Sequence, residues 1–354
     1  SNISLQKIMN NKIDIRNLTL EEIMRFCKEH NLPKFRAKQV WEWIWKKRAT
    51  KFEEITTLSK EIRELFNANF TINTIKIHKG ERSMDNTIKY SFQLHDKLLI
   101  EGVLIPSKKR LTACVSSQVG CSLACDFCAT GTLKLERNLT SGEIYDQVFL
   151  LNQEAISNFG KPLSNIVYMG MGEPLLNYKS VLNSINFITT KQGMGISPKR
   201  ITVSTAGISK MIKILADDNI KFNLAISLHS ASDGKRDKLM PLNKKINLME
   251  LKKAIQYFYD KTSTRITYEY ILFKDLNDSI EDAQKLVKFA RTTPCKINLI
   301  EYNTVDGIAY TKSSHKVTEN FIKHLEDQNI IVNLRRSKGK DISAACGQLV
   351  NKLK

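Results

Sequence analysis

No stretch of this 354-residue chain approaches the roughly eighteen uninterrupted apolar residues of a membrane-spanning helix, and its opening SNISLQKIMNNKIDIRN has no apolar core of a secretory signal. A cytoplasmic protein with no membrane partner is therefore expected. Proline and glycine are sparse, at 7 and 15 residues, so collagen-like and low-complexity classes are excluded and a globular core is affordable at 42% hydrophobic content. Acidic side chains are the scarcer charge, 36 against 55 Lys and Arg, a net +19. So large an excess points to a polyanion, nucleic acid foremost, with Lys-rich composition spread over solvated faces as the alternative. The seven cysteines are odd in number and three fall within eight residues, which suits metal binding in a reducing compartment better than a disulfide framework. Ser1 and Asn2, standing in place of an initiator Met, read as a tag remnant.

From Leu18 to about Phe70 the periodicity is helical: LTLEEIMRFCKEH, FRAKQVWEWIWKKR and SKEIRELFNANF, broken at Asn31-Leu32-Pro33 and around 50–58. Trp41, Ile44 and Trp45 share one helix face, as a packed core stripe or as a platform for stacking RNA bases. Lys46, Lys47 and Arg48 follow as a solvated run or a phosphate contact. Between Thr87 and Pro106 the pattern becomes TIKYSFQL, a turn at His95-Asp96, and KLLIEGVLIP, an antiparallel hairpin. LTACVSS, NIVYM, ITVST, FNLAISL, ITYEYILF and INLIEY then alternate with amphipathic helical stretches. This predicts an α/β protein with a partial (β/α)6 barrel, a small N-terminal helical domain and a short β-hairpin extension, its ligand site at the C-terminal strand ends. The expected divisions are 1–75 for the helical domain, 76–110 for the linker and hairpin, 111–336 for the barrel and 337–354 for a C-terminal segment.

The chemistry-bearing motif is GCSLACDFCATG, with thiols at Cys121, Cys125 and Cys128, i, i+4 and i+7, just beyond the first barrel strand. Three thiolates can bind three corners of a [4Fe-4S] cube and leave the fourth iron open. A structural zinc would want a fourth Cys or His at short spacing, and the nearest other thiol, Cys114, falls within the preceding strand. One β/α unit later NIVYM ends in Met169-Gly170-Met171-Gly172-Glu173-Pro174, where glycines permit close backbone approach to a ligand and Glu173 offers an acceptor to an ammonium. Cys346 lies in SKGKDISAACGQL, between Gly339 and Gly347. Taken alone, Cys114 and Cys346 read as structural thiols, as do Cys27 and Cys295.

CxxxCxxC with Phe127 before the last Cys, followed by the Gly-Glu element, resembles the radical S-adenosylmethionine superfamily. CSLACDFCATG, GMGEPLLN, SLHSA, RDKLMPLN and DISAACGQL, in order from about Glu101 to Leu349, resemble the RlmN-type RNA methyltransferases within it. The resemblance implies methylation of adenosine C2 in the peptidyl-transferase region of 23S rRNA and of the adenosine just 3′ of the tRNA anticodon. Related Cfr-type enzymes methylate C8 and typically carry Ala where this chain has Pro174. It further implies two S-adenosylmethionine molecules per turnover, one methylating Cys346 and one supplying the radical, with the methyl-cysteine adding to C2. Cys114 matches the thiol that resolves the resulting thioether, and Glu101 the proton acceptor, a role for which the Cys114 thiolate is the competitor. Glu173, Pro174, Ser204, Ser227, Leu228, His229 and Asn303 match cofactor-binding positions, Thr304 departing from the proline expected after Asn303. Flavodoxin as reductant, a monomeric state and a mobile Cys346 loop that admits a flipped-out adenine complete what the resemblance implies.

Overall fold

The computed structural model describes residues 12–191 and 193–350. The expected tag remnant and the rest of 1–11 lie outside the described residues, as do 351–354.

Three α-helices lie in the first part of the described residues, α1 (Leu20–Glu29), α2 (Lys34–Trp45) and α3 (Lys60–Asn69). Thr19 and Glu22 form a reciprocal capping box on α1, Pro33 stands just ahead of α2, and Ser59 caps α3. Two-residue strands β1 (Ile13–Asp14) and β2 (Phe70–Thr71) pair beside them. The tryptophan stripe is packing: Trp45 is buried and stacks on Phe187 with ring centroids 3.7 Å apart, while Trp41 meets the same ring at 5.7 Å. Phe187 belongs to a barrel helix, so this face of α2 rests on the barrel. Arg16 and Arg48 reach over it to Asp146 at 2.9 and 3.0 Å, with Arg16 and Asp146 fully buried. Of the basic run, Arg48 is thus an internal tie, Lys46 pairs with Glu42 and Lys47 lies over the Trp43 ring.

One ten-stranded sheet organises the rest. β3 (Lys76–Arg82), β4 (Ile88–Gln93) and β5 (Leu99–Pro106) are antiparallel, and β5 passes antiparallel to β6 (Leu111–Cys114). From β6 the sheet runs parallel, in chain order, through β9 (Asn165–Tyr168), β10 (Ile201–Thr205), β11 (Asn223–Ser227), β12 (Ile266–Leu272), β13 (Cys295–Glu301) and β14 (Val332–Arg335). A separate two-residue ladder joins β7 (Gln118–Val119) to β8 (Arg137–Asn138). Helices α4 (Ser141–Phe159), α5 (Tyr178–Thr189), α6 (Ser209–Asp217), α7 (Asp233–Leu239), α8 (Leu248–Thr262), α9 (Ile280–Ala290) and α10 (His315–Asp327) fill the crossovers, as parallel strands require. The six expected β/α units are present in order, and β14 adds a seventh parallel strand.

Two strands of the ten-stranded sheet escaped the sequence reading for a common reason. β3, KIHKGER, is an exposed, charged edge, and β14, VNLR, is four half-exposed residues at the other edge. Edge strands carry no buried face to impose alternation, and charge there protects against further pairing. The expected hairpin is consequently part of a three-stranded antiparallel extension.

Candidate active site

The cysteine loop is closed at its stem by the β7–β8 ladder, which leaves residues 120–136 projecting beyond the first barrel strand. Gly120 turns there at φ +80°, and a Cβ would lie 2.0 Å from the Lys134 carbonyl oxygen, so only glycine fits. The loop sits on its own small core: Phe127 packs edge-on to His229 at 4.9 Å and against Phe273, alongside Leu239 and Met240. Asp126 donates its N–H to the Leu239 carbonyl at 3.0 Å and accepts the Tyr310 hydroxyl at 2.6 Å. Cys121, Cys125 and Cys128 are free and half-buried. Burial pushes all three thiols up, Cys121 to about 11, and in Cys125 the two neighbouring sulfurs add to it. Thiolates here want a positively charged partner, which iron supplies. No three His, Cys, Asp or Glu side chains among the described residues are grouped to hold one metal ion. A cube distributes its thiolates over separate irons and needs no convergence on one point.

A cavity at the C-terminal ends of the parallel strands takes in Cys125 and Cys128 from this loop and side chains from every parallel strand or its exit. Glu173, after β9, is buried; it accepts the Leu175 N–H at 3.0 Å and the Ala206 N–H at 2.8 Å, leaving lone pairs for a further donor. Burial raises its carboxyl despite these bonds. Gly172, at φ +93°, lies against Gln118, where a Cβ would approach to 2.4 Å. The Gly-Glu element is therefore shaped first by contact with the chain leaving β6. Ser204, the penultimate residue of β10, and Ser227, the last of β11, have their hydroxyls 3.3 Å apart. His229 is buried, with φ +55°. Its Nδ1 accepts the Ile271 N–H at 3.1 Å, which places the proton on Nε2, and burial takes the imidazole down to about 3. It is a neutral donor at physiological pH.

Pro174, Leu228 and Asn303 stand outside the cavity lining. Pro174 begins a short 3-10 turn to Asn177, and Leu228 donates its N–H to the Glu269 carbonyl. Asn303 is buried with neither end of its amide hydrogen-bonded among the described residues. A buried amide left unpaired costs about 1–3 kcal/mol, the signature of a place for a polar ligand. Thr304 fills the departure from the motif without disturbance, its carbonyl accepting the Gln348 amide at 2.8 Å.

Cys114 and Cys346 line the same cavity. Burial, with Cys346 adding to it, pushes the Cys114 thiol up to about 12, while Cys346 is exposed. The segment carrying Cys346 is tied at both ends and in the middle. Gly339 donates its N–H to Asp85 at 3.0 Å, and Asp341 accepts the Ser83 hydroxyl and the Met84 N–H, so the β3–β4 turn holds the entry. The Ala129 N–H meets the Gly347 carbonyl at 2.7 Å and the Thr130 hydroxyl meets the Leu349 carbonyl at 2.6 Å, joining it to the cysteine loop. Glu101 holds the exit. It lies outside the cavity that Cys346 lines, accepts the Val350 N–H at 2.9 Å, and pairs with Lys89 at 3.5 Å.

Three residues went unnoticed in the sequence. Glu269, mid-way along β12 and buried, and Arg335, half-exposed at the end of β14, pair at 3.0 Å inside the cavity. Cys346 on one side and Glu269 on the other hold the Arg335 guanidinium above its usual range. Arg236, from RDKLMPLN, is buried and donates to the carbonyls of Leu228, Ala206 and Ser227 and to Asn243, bracing the loops after β10 and β11. The basic residues in that motif and in RRSKGK were the available signal.

Residues 13–72 match the ribosomal RNA large subunit methyltransferase N-terminal domain, and 115–290 the radical SAM superfamily. A probable dual-specificity RNA methyltransferase RlmN of Christiangramia forsetii is 52% identical, across 98% of this chain and 98% of the relative. The chain belongs to the RlmN family. A dual-specificity RNA methyltransferase RlmN of Geobacter sulfurreducens is 41% identical over 98% of this chain and 94% of its own length. The crystal structure of a radical SAM methyltransferase from Sphaerobacter thermophilus superposes with a TM-score of 0.88 at 36% identity, covering 95% of this chain and 99% of the other. No helix among the described residues is long and apolar enough to cross a membrane.

Proposed function

We propose that this protein methylates C2 of an adenosine in 23S rRNA, and the adenosine 3′ of the tRNA anticodon, by way of a methyl group carried on Cys346. The observation that carries the reading is the common cavity: two cluster thiols, the Glu173 carboxylate, Cys114 and Cys346 face one space. Cys121, Cys125 and Cys128 would hold a [4Fe-4S] cluster. With S-adenosylmethionine bound, that centre supplies the one-electron chemistry that starts the reaction. Glu173 would accept the cofactor's ammonium, and Ser204, Ser227, the Nε2–H of His229 and the unpaired Asn303 amide its ribose and carboxylate, with Pro174 and Leu228 shaping the backbone around them.

Adenine C2 is electron-poor and has no lone pair with which to attack a sulfonium methyl, so the methyl must pass through a group that can. The Cys346 sulfur takes the methyl by displacement, losing its proton. A hydrogen atom lost from that methyl to the radical derived from the second S-adenosylmethionine would leave a carbon on Cys346 that adds to C2 and joins protein to RNA. The odd electron then passes back to the one-electron centre as the C2 proton leaves. Cys114, giving up its own proton, then attacks the Cys346 sulfur and forms a disulfide, while the carbon released as the thioether opens takes up a proton to become the methyl group. Glu101 or the Cys114 thiolate takes the C2 proton; Glu101 hydrogen-bonds Val350 and lies outside the cavity, which favours a holding role in the resting arrangement. A cytoplasmic monomer reduced by a protein such as flavodoxin, and the division at 75, 110 and 336, belong to the same reading.

Anaerobic reconstitution with methyl-labelled cofactor and rRNA fragments, followed by nucleoside analysis, tests it. Labelled 2-methyladenosine is expected. Labelled 8-methyladenosine would assign the Cfr-type reaction instead, and a colourless zinc-loaded protein that binds RNA without consuming cofactor would remove the enzymatic reading.

A further inference from the structure

The rim of the cavity carries cations that the chemistry above does not use. Four basic residues fall within the six of RRSKGK that link β14 to the Cys346 segment. Two are neutralised: Arg335 by Glu269 at 3.0 Å, and Lys340 by Glu301 at 3.1 Å, where Lys312 also binds. Between them, Arg336 and Lys338 are exposed, line the cavity, and make no ion pair or hydrogen bond among the described residues. Ser337 between them anchors the backbone by donating its hydroxyl to the Glu301 carbonyl at 3.4 Å. The acidic residues that share the cavity, Glu173 and Glu269, are both buried beneath the rim, each already engaged.

We propose that Arg336 and Lys338 grip the backbone phosphates that flank the nucleotide whose base enters the cavity. The inference rests on the RNA reading above and adds to it the residues that set the strand's position. A base that reaches Cys346 must leave its stack, and its sugar and phosphates then stay at the mouth, where two unpaired cations stand on a tethered backbone. Such contacts fix register without reading sequence, because a phosphate looks the same beside every base. They sit at the β14 edge of the sheet, several strands along from Glu173, Ser204 and Ser227 on the exits of β9 to β11, and of the cofactor candidates Asn303, after the neighbouring β13, is nearest in strand order.

The test measures affinity for an RNA hairpin with one adenosine in its single-stranded loop, and for its cytidine counterpart, across a salt series. Arg336→Ala and Lys338→Ala should each lower the slope of log affinity against log salt by roughly 0.7, and the double variant by roughly 1.4, equally for both hairpins. Arg336→Lys and Lys338→Arg should keep the wild-type slope. An unchanged slope in the double alanine variant, with wild-type protein still methylating RNA, would overturn this assignment while leaving the RNA reading standing. A loss of S-adenosylmethionine affinity at unchanged slope would overturn it too, giving the cations to the cofactor carboxylate. Wild-type protein with no salt-dependent RNA affinity would sink both readings.

Discussion

Cys125 and Cys128 of the cluster loop meet Cys346 in one cavity, yet the two parts are held in opposite ways. The cluster loop is local: its thiols lie within eight residues, a two-residue ladder closes its stem, and Phe127 seats it on a small core. Cys346 hangs on a segment whose only regular element among the described residues is a 3-10 turn at Lys340–Ile342. That segment is tied by hydrogen bonds to the β3–β4 turn, to the cysteine loop, to Thr304 and to Glu101. The loop is seated within one short stretch of chain, whereas the Cys346 segment, with Ala344 and Leu349 packed into the main core, also depends on ties to distant parts of the chain. The half of the site proposed to start the radical should therefore tolerate distant substitutions that the half proposed to carry the methyl does not.

The comparison breaks most completely at the cysteines themselves. Cys125→Ala should lose both iron and product, while Cys346→Ala should keep the iron content and lose all methylated nucleoside. Iron analysis beside nucleoside analysis reads the split. Next in size is Asp146, which is paired with the buried Arg16 and the half-buried Arg48. Asp146→Ala strands those charges and should cost about 3–5 kcal/mol of stability, read from the denaturation midpoint, damaging both halves alike.

Acid should separate the halves. His229 is held at about 3 in the fold, below its ordinary 6.5, so the unfolded chain binds the extra proton between those values. Its contribution is intact above pH 6.5 and falls by roughly 1.4 kcal/mol per pH unit towards pH 3. His229→Gln should flatten that slope in equilibrium unfolding. At the tether, bonds from Thr87 and Gly339 outweigh burial and bring Asp85 down to about 2. Its hold persists until the pH falls below 3.8, so the barrel side should loosen first. The smallest effect is expected from Asp85→Ala, with roughly tenfold faster hydrogen exchange across 339–347 at unchanged iron content.

What could be read from the chain follows the same division. The cysteine spacing, the Gly-Glu element after NIVYM and the six alternating β/α units are local or periodic, and each is in place. The ties on Cys346 are not of that kind. Asp341 to Ser83 spans 258 positions and Gly339 to Asp85 spans 254, between residues that read as ordinary turn formers. Glu269 and Arg335 form a pair only because β12, β13 and β14 lie side by side, and β14 itself was too short and polar to be seen. Glu101 came from family resemblance as a proton acceptor, and its bond to Val350 could not be read from a strand residue.

The central claim is that Cys346 carries the methyl group and Cys114 releases it within one cavity. The most direct measurement is denaturing electrophoresis and peptide mass analysis of the Cys114→Ala variant after anaerobic reaction with substrate RNA. A covalent RNA adduct on the peptide containing Cys346, with little free methylated product, is predicted; wild-type yields of product with no adduct would contradict the account.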